Sequence, residues 1–95
     1  MVAYAIAEQI VHDQAKFDEY RKQVAPLIER FGGKYLNNGV TRVLDGKAWK
    51  PERVIIIEFP DKAALDGWYN SPEYQPMRKL RDECATVMLI ALEGR

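Results

Sequence analysis

Glu58 is the residue whose type and position best fit acid or base chemistry. It lies in the apolar run Val54-Ile55-Ile56-Ile57-Glu58-Phe59, where strand alternation places it on one face with Val54 and Ile56. Such neighbours cannot solvate a carboxylate, so the protonated form is favoured and a proton could be exchanged near neutral pH. We therefore predict a catalytic role for Glu58. The alternative is a structural charge held by an arginine or by backbone amides, because buried charges are usually paired.

Arg81 is the second predicted catalytic residue, either orienting Glu58 or binding an anionic group of a ligand, and Arg42 is another possible partner of Glu58. Glu8 shares its strand face with Tyr4, and antiparallel pairing of the first and third strands could place two carboxylates on one face. Close carboxylates are common in acid-base sites. The sequence does not set the strand register, so Glu8 is alternatively a surface carboxylate at a strand end.

Aromatic and hydroxyl side chains cluster around a break between two helical segments. Flat side chains and exposed backbone amides at such a place could line a pocket for an aromatic or acyl ligand. The predicted ligand-binding residues are Trp68, Tyr69, Ser71 and Tyr74. The alternative is that Trp68 and Tyr74 are core residues and Ser71 is only a helix cap.

No cofactor or metal is predicted. His12 is the only histidine, so a metal or haem site would depend on one residue at a strand end. Cys84, the only cysteine, has no partner motif and fits a small buried hydrophobe in a reducing cytoplasm. The paired glycines lack the lysine and serine or threonine of a phosphate-binding loop, so nucleotide binding has little support.

The charge balance excludes partners that are attracted by a net charge. The 95 residues contain 14 basic and 14 acidic side chains, and neither sign forms a long run. Nucleic acid and membrane surfaces are therefore not expected as partners, and the N-terminus resembles neither a signal peptide nor a membrane span. A chain this short buries only about 60–70% of its unfolded surface, which favours a homodimer.

The elements that must position these residues follow from hydrophobic periodicity and turn residues. Residues 2–11 predict a strand, and residues 13–31 predict an amphipathic helix that Asp13 caps, Pro26 kinks and the following glycine pair ends. Residues 34–44 predict a second strand, bulged at Gly39. Residues 53–59 are so apolar that they predict a central strand with both faces buried.

The second half predicts a helix that begins after Pro60-Asp61, is broken at Ser71-Pro72-Glu73 and continues to Cys84, followed by a last strand over residues 86–92. Strand, helix, strand, strand, helix, strand is the ferredoxin-like βαββαβ order of an α+β fold. It places two helices on one face of a four-stranded antiparallel sheet. The other face needs a cover, which the sheet of a second copy could supply.

Motifs spread along nearly the whole chain resemble the domain of unknown function 1330 family. They are Tyr4, Asp13, Tyr20, Gly32-Gly33-Lys34-Tyr35, Asp45-Gly46-Lys47-Ala48-Trp49, Val54-Ile55-Ile56-Ile57-Glu58-Phe59-Pro60, Ala63-Ala64, Trp68-Tyr69-Asn70-Ser71-Pro72-Glu73-Tyr74-Gln75 and Leu80-Arg81. The resemblance implies a single dimeric α/β-barrel domain of the ferredoxin-like superfamily over residues 1–95. Where the family pattern has an arginine or another polar residue near the end of the second strand, this chain has Asn37-Asn38, so a basic anion contact is not expected at that edge.

Similar barrels include haem-degrading and cofactor-free monooxygenases, lactone isomerases and proteins without known chemistry, so the resemblance does not name a reaction. We predict a cytoplasmic homodimer that binds a small apolar or aromatic metabolite, with cofactor-free acid-base or monooxygenase-type chemistry. The alternative is a non-catalytic dimerisation or ligand-sensing module. If the odd-numbered side of residues 53–59 packs on the helices, Glu58 points into the dimer barrel; otherwise it lies beneath the helices beside Arg81.

Overall fold

A computed structural model describes all residues from Met1 to Arg95. Four strands and three helices follow one another along the chain in the predicted order. They are β1 (Ala3–Val11), α1 (Gln14–Arg30), β2 (Lys34–Tyr35), β3 (Val54–Phe59), α2 (Lys62–Tyr69), α3 (Tyr74–Cys84) and β4 (Ala85–Glu93). The two short helices α2 and α3 are the halves of the broken second helix.

The strands form one antiparallel sheet in the order β2-β3-β1-β4, with β1 and β3 in the centre. This order and the helices confirm the predicted α+β, ferredoxin-like fold. In the register, Tyr4 lies opposite Glu58 and Glu8 lies opposite Val54.

Side-chain caps and close glycine contacts set the helix boundaries. Asp13 accepts a hydrogen bond from the amide of Lys16 at 3.2 Å, and Asp61 accepts one from Ala64 at 2.7 Å. Helix α1 is continuous through Pro26. A Cβ on Gly33 would lie 2.6 Å from Ile28 and 2.8 Å from Phe59, so glycine is required where the chain leaves α1 and crosses the core.

The second strand is shorter than predicted, because a side chain replaces part of its backbone ladder. Only Lys34–Tyr35 pair regularly with β3. The side-chain amide of Asn37 then takes over: its Nδ2 donates to the carbonyl of Val54 at 2.7 Å, and its Oδ1 accepts from the backbone amide of Ile56 at 2.9 Å. Gly39 follows with a φ of +88°, so the chain turns away at the residue where a bulge was predicted.

Strand parity divides the sheet into two unlike faces. The odd-numbered residues of β1 and β3 pack beneath the helices, and the alanines of β1 leave room for large side chains above them. The core consists mainly of Phe17, Tyr20, Val24, Leu27, Ile28, Ile55, Ile57, Phe59, Leu65, Trp68, Tyr74 and Cys84. The opposite face carries no helix. The residues of β3 on that face are therefore only half-buried, and the predicted burial of β3 on both faces is not reached within one chain.

Candidate functional site

A cavity of about 660 Å³ lies between α1, α3 and the helix-covered face of the sheet. Its floor is apolar and comes from all three long strands, with Ala7, Ile55, Ile57, Val87 and Leu89 along it. Its size is typical of small-molecule sites, which are mostly apolar with a few placed polar groups.

Two tyrosines and an arginine meet at the buried wall of this cavity. The hydroxyl of Tyr20 on α1 lies 3.0 Å from the hydroxyl of Tyr74 on α3, and Nη1 of Arg81 donates to the Tyr74 oxygen at 3.1 Å. Tyr20 and Arg81 are each 6% exposed and Tyr74 is fully buried. The network therefore joins the two helices across the cavity.

Trp68 forms the aromatic end of the cavity and carries an unpaired donor. Its ring stacks on Phe59 with centroids 5.5 Å apart and lies 4.7 Å from the ring of Tyr74. The indole Nε1 is buried and has no hydrogen-bond partner. A buried donor without an acceptor is unfavourable by about 1–3 kcal/mol, so an acceptor atom that reached Nε1 would relieve this cost.

The tyrosine pair leaves one more donor unused. Two hydroxyls that share one hydrogen bond use one of their two hydrogens, and neither hydroxyl has another acceptor. Burial, followed by the nearby Tyr74, raises the pKa of Tyr20 above its ordinary value, so Tyr20 keeps its proton in the working pH range. Together with the Trp68 Nε1, the site offers donors to a ligand and needs acceptors from it.

Arg81 is charged and is balanced from outside the cavity. Its Nη2 and Nε donate to the carboxylate of Asp82 at 2.9 and 3.2 Å, and Asp82 itself is exposed. Burial alone would lower the pKa of Arg81, but Tyr74 and Asp82 outweigh it and the pKa is raised. The guanidinium therefore stays cationic while its charge is partly compensated.

The opposite end of the cavity is its polar mouth. Gln9, Asn37, Asn38 and Arg53 line it from the sheet side. Residues of α1 with exposed side chains line the other side, namely Asp18, Arg21, Lys22 and Ala25. A ligand could enter from solvent at this mouth and reach Trp68 and the tyrosines beyond the apolar floor.

Glu58 lies on the other side of the sheet from Arg81. Because Ile57 and Phe59 point beneath the helices, Glu58 points to the open face, where Tyr4 and Lys34 lie opposite it on the neighbouring strands. Its carboxylate lies 3.4 Å from Nζ of Lys34. The predicted orientation of Glu58 by Arg81 is therefore wrong, and Arg42 in the exposed loop makes no ion pair with it.

The second proposed carboxylate is also remote. Glu8 and Glu58 share the open face, but the register separates them by four residues along the strands, or about 13 Å. At that separation the two groups cannot act as one acid-base pair.

The structure brings together only two of the four predicted ligand-binding residues, Trp68 and Tyr74. Ser71 is the cap between α2 and α3: its hydroxyl donates to the carbonyl of Trp68 at 2.9 Å and accepts from the amide of Tyr74 at 3.3 Å. Tyr69 does not line the cavity and instead stacks beneath the guanidinium of Arg78, 5.0 Å away. Both support the two aromatic rings without facing the cavity.

His12 and Cys84 are outside the site. His12 lies within 2.8 Å of the hydroxyl of Thr86 near the surface, and burial raises the pKa of the Cys84 thiol, which favours its unreactive form. No three His, Cys, Asp or Glu side chains are grouped as metal ligands. None of the three helices combines the length and apolar character needed to span a bilayer.

Tyr20 and Arg53 are the site residues that sequence analysis missed. Tyr20 occurs at helical spacing among apolar residues, so its hydroxyl gave no separate signal. Arg53 stands just before the most apolar strand, and its odd number, shared with Ile55 and Ile57, was the available clue that it faces the helices.

Comparisons with known proteins support the same fold. No curated protein matches the chain in sequence. A protein of unknown function from Rhodopseudomonas palustris, RPA0582, has a TM-score of 0.76 at 19% identity, over 99% of this chain and 82% of the other. A dimeric ferredoxin-like protein of unknown function from Jannaschia sp. CCS1 has a TM-score of 0.73 at 17% identity, over 99% and 100% of the two chains.

A third similar structure is SnoaB from Streptomyces nogalater, described as a cofactor-independent oxygenase. Its TM-score is 0.65 at 18% identity, with 99% of this chain and 92% of SnoaB covered. These identities show a shared fold and do not transfer an activity. The model of the domain of unknown function family DUF1330 matches residues 2–95, and the chain therefore belongs to that family.

Proposed function

We propose that this protein is a cytoplasmic homodimer that binds a small, largely apolar or aromatic metabolite in the cavity between helices and sheet. The observation that carries the proposal is the unpaired, buried Nε1 of Trp68 at the end of an apolar cavity, beside a tyrosine pair with a spare hydroxyl hydrogen. An aromatic ligand with a carbonyl or hydroxyl oxygen would satisfy both donors. The single thiol, buried and unpaired, fits a reducing compartment.

The same donors support cofactor-free chemistry on the bound molecule. Donors fixed in a water-poor site stabilise negative charge that develops on a ligand oxygen, as in an enolate or a phenolate. Tyr20 and Tyr74 could hold or give a proton at that oxygen, and Arg81 would supply the positive field. The cofactor-independent oxygenase among the similar structures is in keeping with this proposal. Glu58 has no part in it, because it lies on the other face of the sheet.

The proposed dimer uses the open face of the sheet. A row of three isoleucines, Ile56, Ile6 and Ile90, crosses its centre. Met88, Ile90 and Leu92 are 57%, 57% and 46% exposed, which is unusual for such large apolar residues along one strand. A second copy could cover this face by a two-fold contact, and two of the similar proteins are described as dimeric.

Fluorescence of Trp68 provides a direct test. The chain has a second tryptophan, Trp49, in an exposed loop, so the Trp49→Phe variant isolates the signal of the cavity. Titration with hydroxylated and keto-substituted aromatic compounds should shift or quench this emission with saturation. The matched variant Trp68→Phe should bind the same compounds about tenfold more weakly in calorimetry, because one hydrogen bond to the ligand is lost.

Absence of saturable binding across such a panel would contradict the proposal. Native mass spectrometry of protein purified without added ligand tests it independently, because it reports both the dimer mass and any retained small molecule. Binding without any product after incubation in air would favour the ligand-sensing alternative over the enzyme.

A further inference from the structure

The cavity is lined by more basic than acidic side chains, although the chain as a whole has no net charge. Four basic side chains, Arg21, Lys22, Arg53 and Arg81, line it against one acidic side chain, Asp18, whereas the whole chain has a net charge of zero. A concave surface of one sign raises the local concentration of ligands with the opposite charge. The ligand of such a site is expected to be an anion.

The uncompensated charge lies at the mouth and not at the buried wall. Arg81 is paired with Asp82, but the ion pairs of the chain include none of Arg21, Lys22 and Arg53. The carboxylate of Asp18 accepts a hydrogen bond from Gln14 at 2.9 Å and forms no ion pair. The Nε of Arg53 is covered and has no acceptor, and its two terminal nitrogens make no hydrogen bond or ion pair within the chain. The terminal nitrogens at the mouth are therefore the groups that an incoming carboxylate could contact.

The backbone around Arg53 holds its side chain in place before a ligand arrives. Its carbonyl accepts from the amide of Gln9 at 2.8 Å, which continues the pairing of the two central strands by one residue. The guanidinium packs on Gly39, where an added Cβ would meet Arg53 atoms at 2.8 to 3.1 Å. The side-chain amide of Asn37 bonds to Val54 and Ile56 and makes no hydrogen bond with Arg53.

Arg53 and Trp68 mark opposite ends of the cavity. Trp68 stacks on Phe59 at the end of β3, and Arg53 directly precedes β3, six residues and about 20 Å of extended backbone before Phe59. The apolar floor at Ile55 and Ile57 lies between them. The two ends are thus suited to different polar groups of one elongated molecule.

We propose that the ligand is an elongated aromatic carboxylate whose carboxylate binds Arg53 at the mouth while a neutral carbonyl or hydroxyl oxygen faces Trp68 and the tyrosine pair. This inference rests on the proposed binding function and adds the charge and orientation of the ligand. In this proposal Arg53, which directly precedes β3, provides the basic contact at this edge that was not expected from Asn37-Asn38.

Two probes of the same shape test the charge requirement: 6-hydroxy-2-naphthoate and its neutral carboxamide, 6-hydroxy-2-naphthamide, each titrated by isothermal calorimetry. The carboxylate should bind about tenfold more tightly than the carboxamide, because a charge-assisted hydrogen bond is about twice as strong as a neutral one. Added salt should weaken the binding of the carboxylate and leave that of the carboxamide unchanged.

Substitutions that change a single positive charge show which residue binds the carboxylate. Arg53→Gln should remove the preference for the carboxylate and leave the carboxamide affinity unchanged, whereas Arg53→Lys should retain part of the preference. Lys50→Gln is the control, because it removes one positive charge from the same loop without lining the cavity. It should change neither affinity.

Equal affinity of the two probes for the unmodified protein, or an equal loss of both in Arg53→Gln, would overturn the inference while leaving the proposed function intact. Failure of both probes to bind would overturn the proposed function and the inference together. If Arg53→Gln fails to fold, the comparison of the two probes on the unmodified protein still tests the inference.

Discussion

The two faces of the sheet are built from the same three long strands but have opposite chemistry. Beneath the helices the strands present Ala7, Ile55 and Ile57 to a cavity with buried donors and basic groups. The open face presents a row of isoleucines, flanked by Glu58 on one side and Glu8 on the other. One face is suited to a small molecule and the other to a second copy of the chain.

This division separates the two residues that sequence analysis assigned to one site. A strand directs successive side chains to opposite faces, so Glu58 and its neighbour Ile57 cannot share an environment. Arg81 belongs to the helix-covered face and Glu58 to the open face. Binding and association should therefore respond to different substitutions, and the following experiments test that separation.

The largest effect is expected from a charge at the centre of the open face. Ile90→Glu places a carboxylate where the proposed partner sheet would bury it, and an uncompensated buried charge destabilises by about 3–5 kcal/mol. Sedimentation equilibrium should show a monomer where the unmodified protein is a dimer. Val40→Glu is the control, because Val40 is 80% exposed in a loop outside the sheet, and it should stay dimeric. A dimeric Ile90→Glu would contradict the assigned interface.

A single hydroxyl on the helix-covered face should have the next largest effect. Tyr74→Phe leaves the Tyr20 hydroxyl and Nη1 of Arg81 without their shared partner, at a cost of about 1–3 kcal/mol in the free energy of unfolding. Urea denaturation measures this. Tyr69→Phe removes the same atom from a ring that lies 5.9 Å away but outside the cavity, and it should change stability by less than about 0.5 kcal/mol. Equal losses in both variants would argue against the network.

Alkaline pH should lower the free energy of unfolding through the same buried tyrosine pair. The pKa of Tyr20 is raised in the folded protein by burial and by Tyr74, so the stabilisation is fully present below the unfolded pKa of about 10 and is lost as pH rises above it. The slope approaches about 1.4 kcal/mol per pH unit for one such group. Denaturation from pH 9 upward should therefore give a shallower decline for Tyr20→Phe than for the unmodified protein. Parallel declines would contradict this origin.

Periodicity and turn residues were sufficient to predict the fold, because those signals are local. Asp13 and Asp61 cap the helices as their types suggest, whereas at Gly39 the chain bends with a positive φ and does not form the predicted bulge within a strand. The early end of β2 was not predictable, because it depends on the Asn37 side chain bonding to a strand seventeen residues later.

The candidate site was predictable only in part, because it depends on which strand face meets the helices. Trp68, Tyr74 and Arg81 were identified from their types, and all three line the cavity. Tyr20 and Arg53 became visible only when α1 and β3 were placed in space. Parity alone left two positions for Glu58, and the buried Phe59 beneath the helices decides between them.

The smallest effect is expected from Glu58, the residue that first suggested a catalytic role. Its pairing with Lys34 is partly exposed, with side-chain exposures of 22% and 71%, and such pairs contribute about 0–1 kcal/mol. Glu58→Gln should therefore leave the affinity for a cavity ligand within about twofold, since a contact on the other face does not touch the ligand. Its small effect should appear in the dissociation constant of the dimer, measured by sedimentation. A loss of ligand binding or turnover with an unchanged dimer would restore Glu58 to the site and would join the two faces that the strands separate.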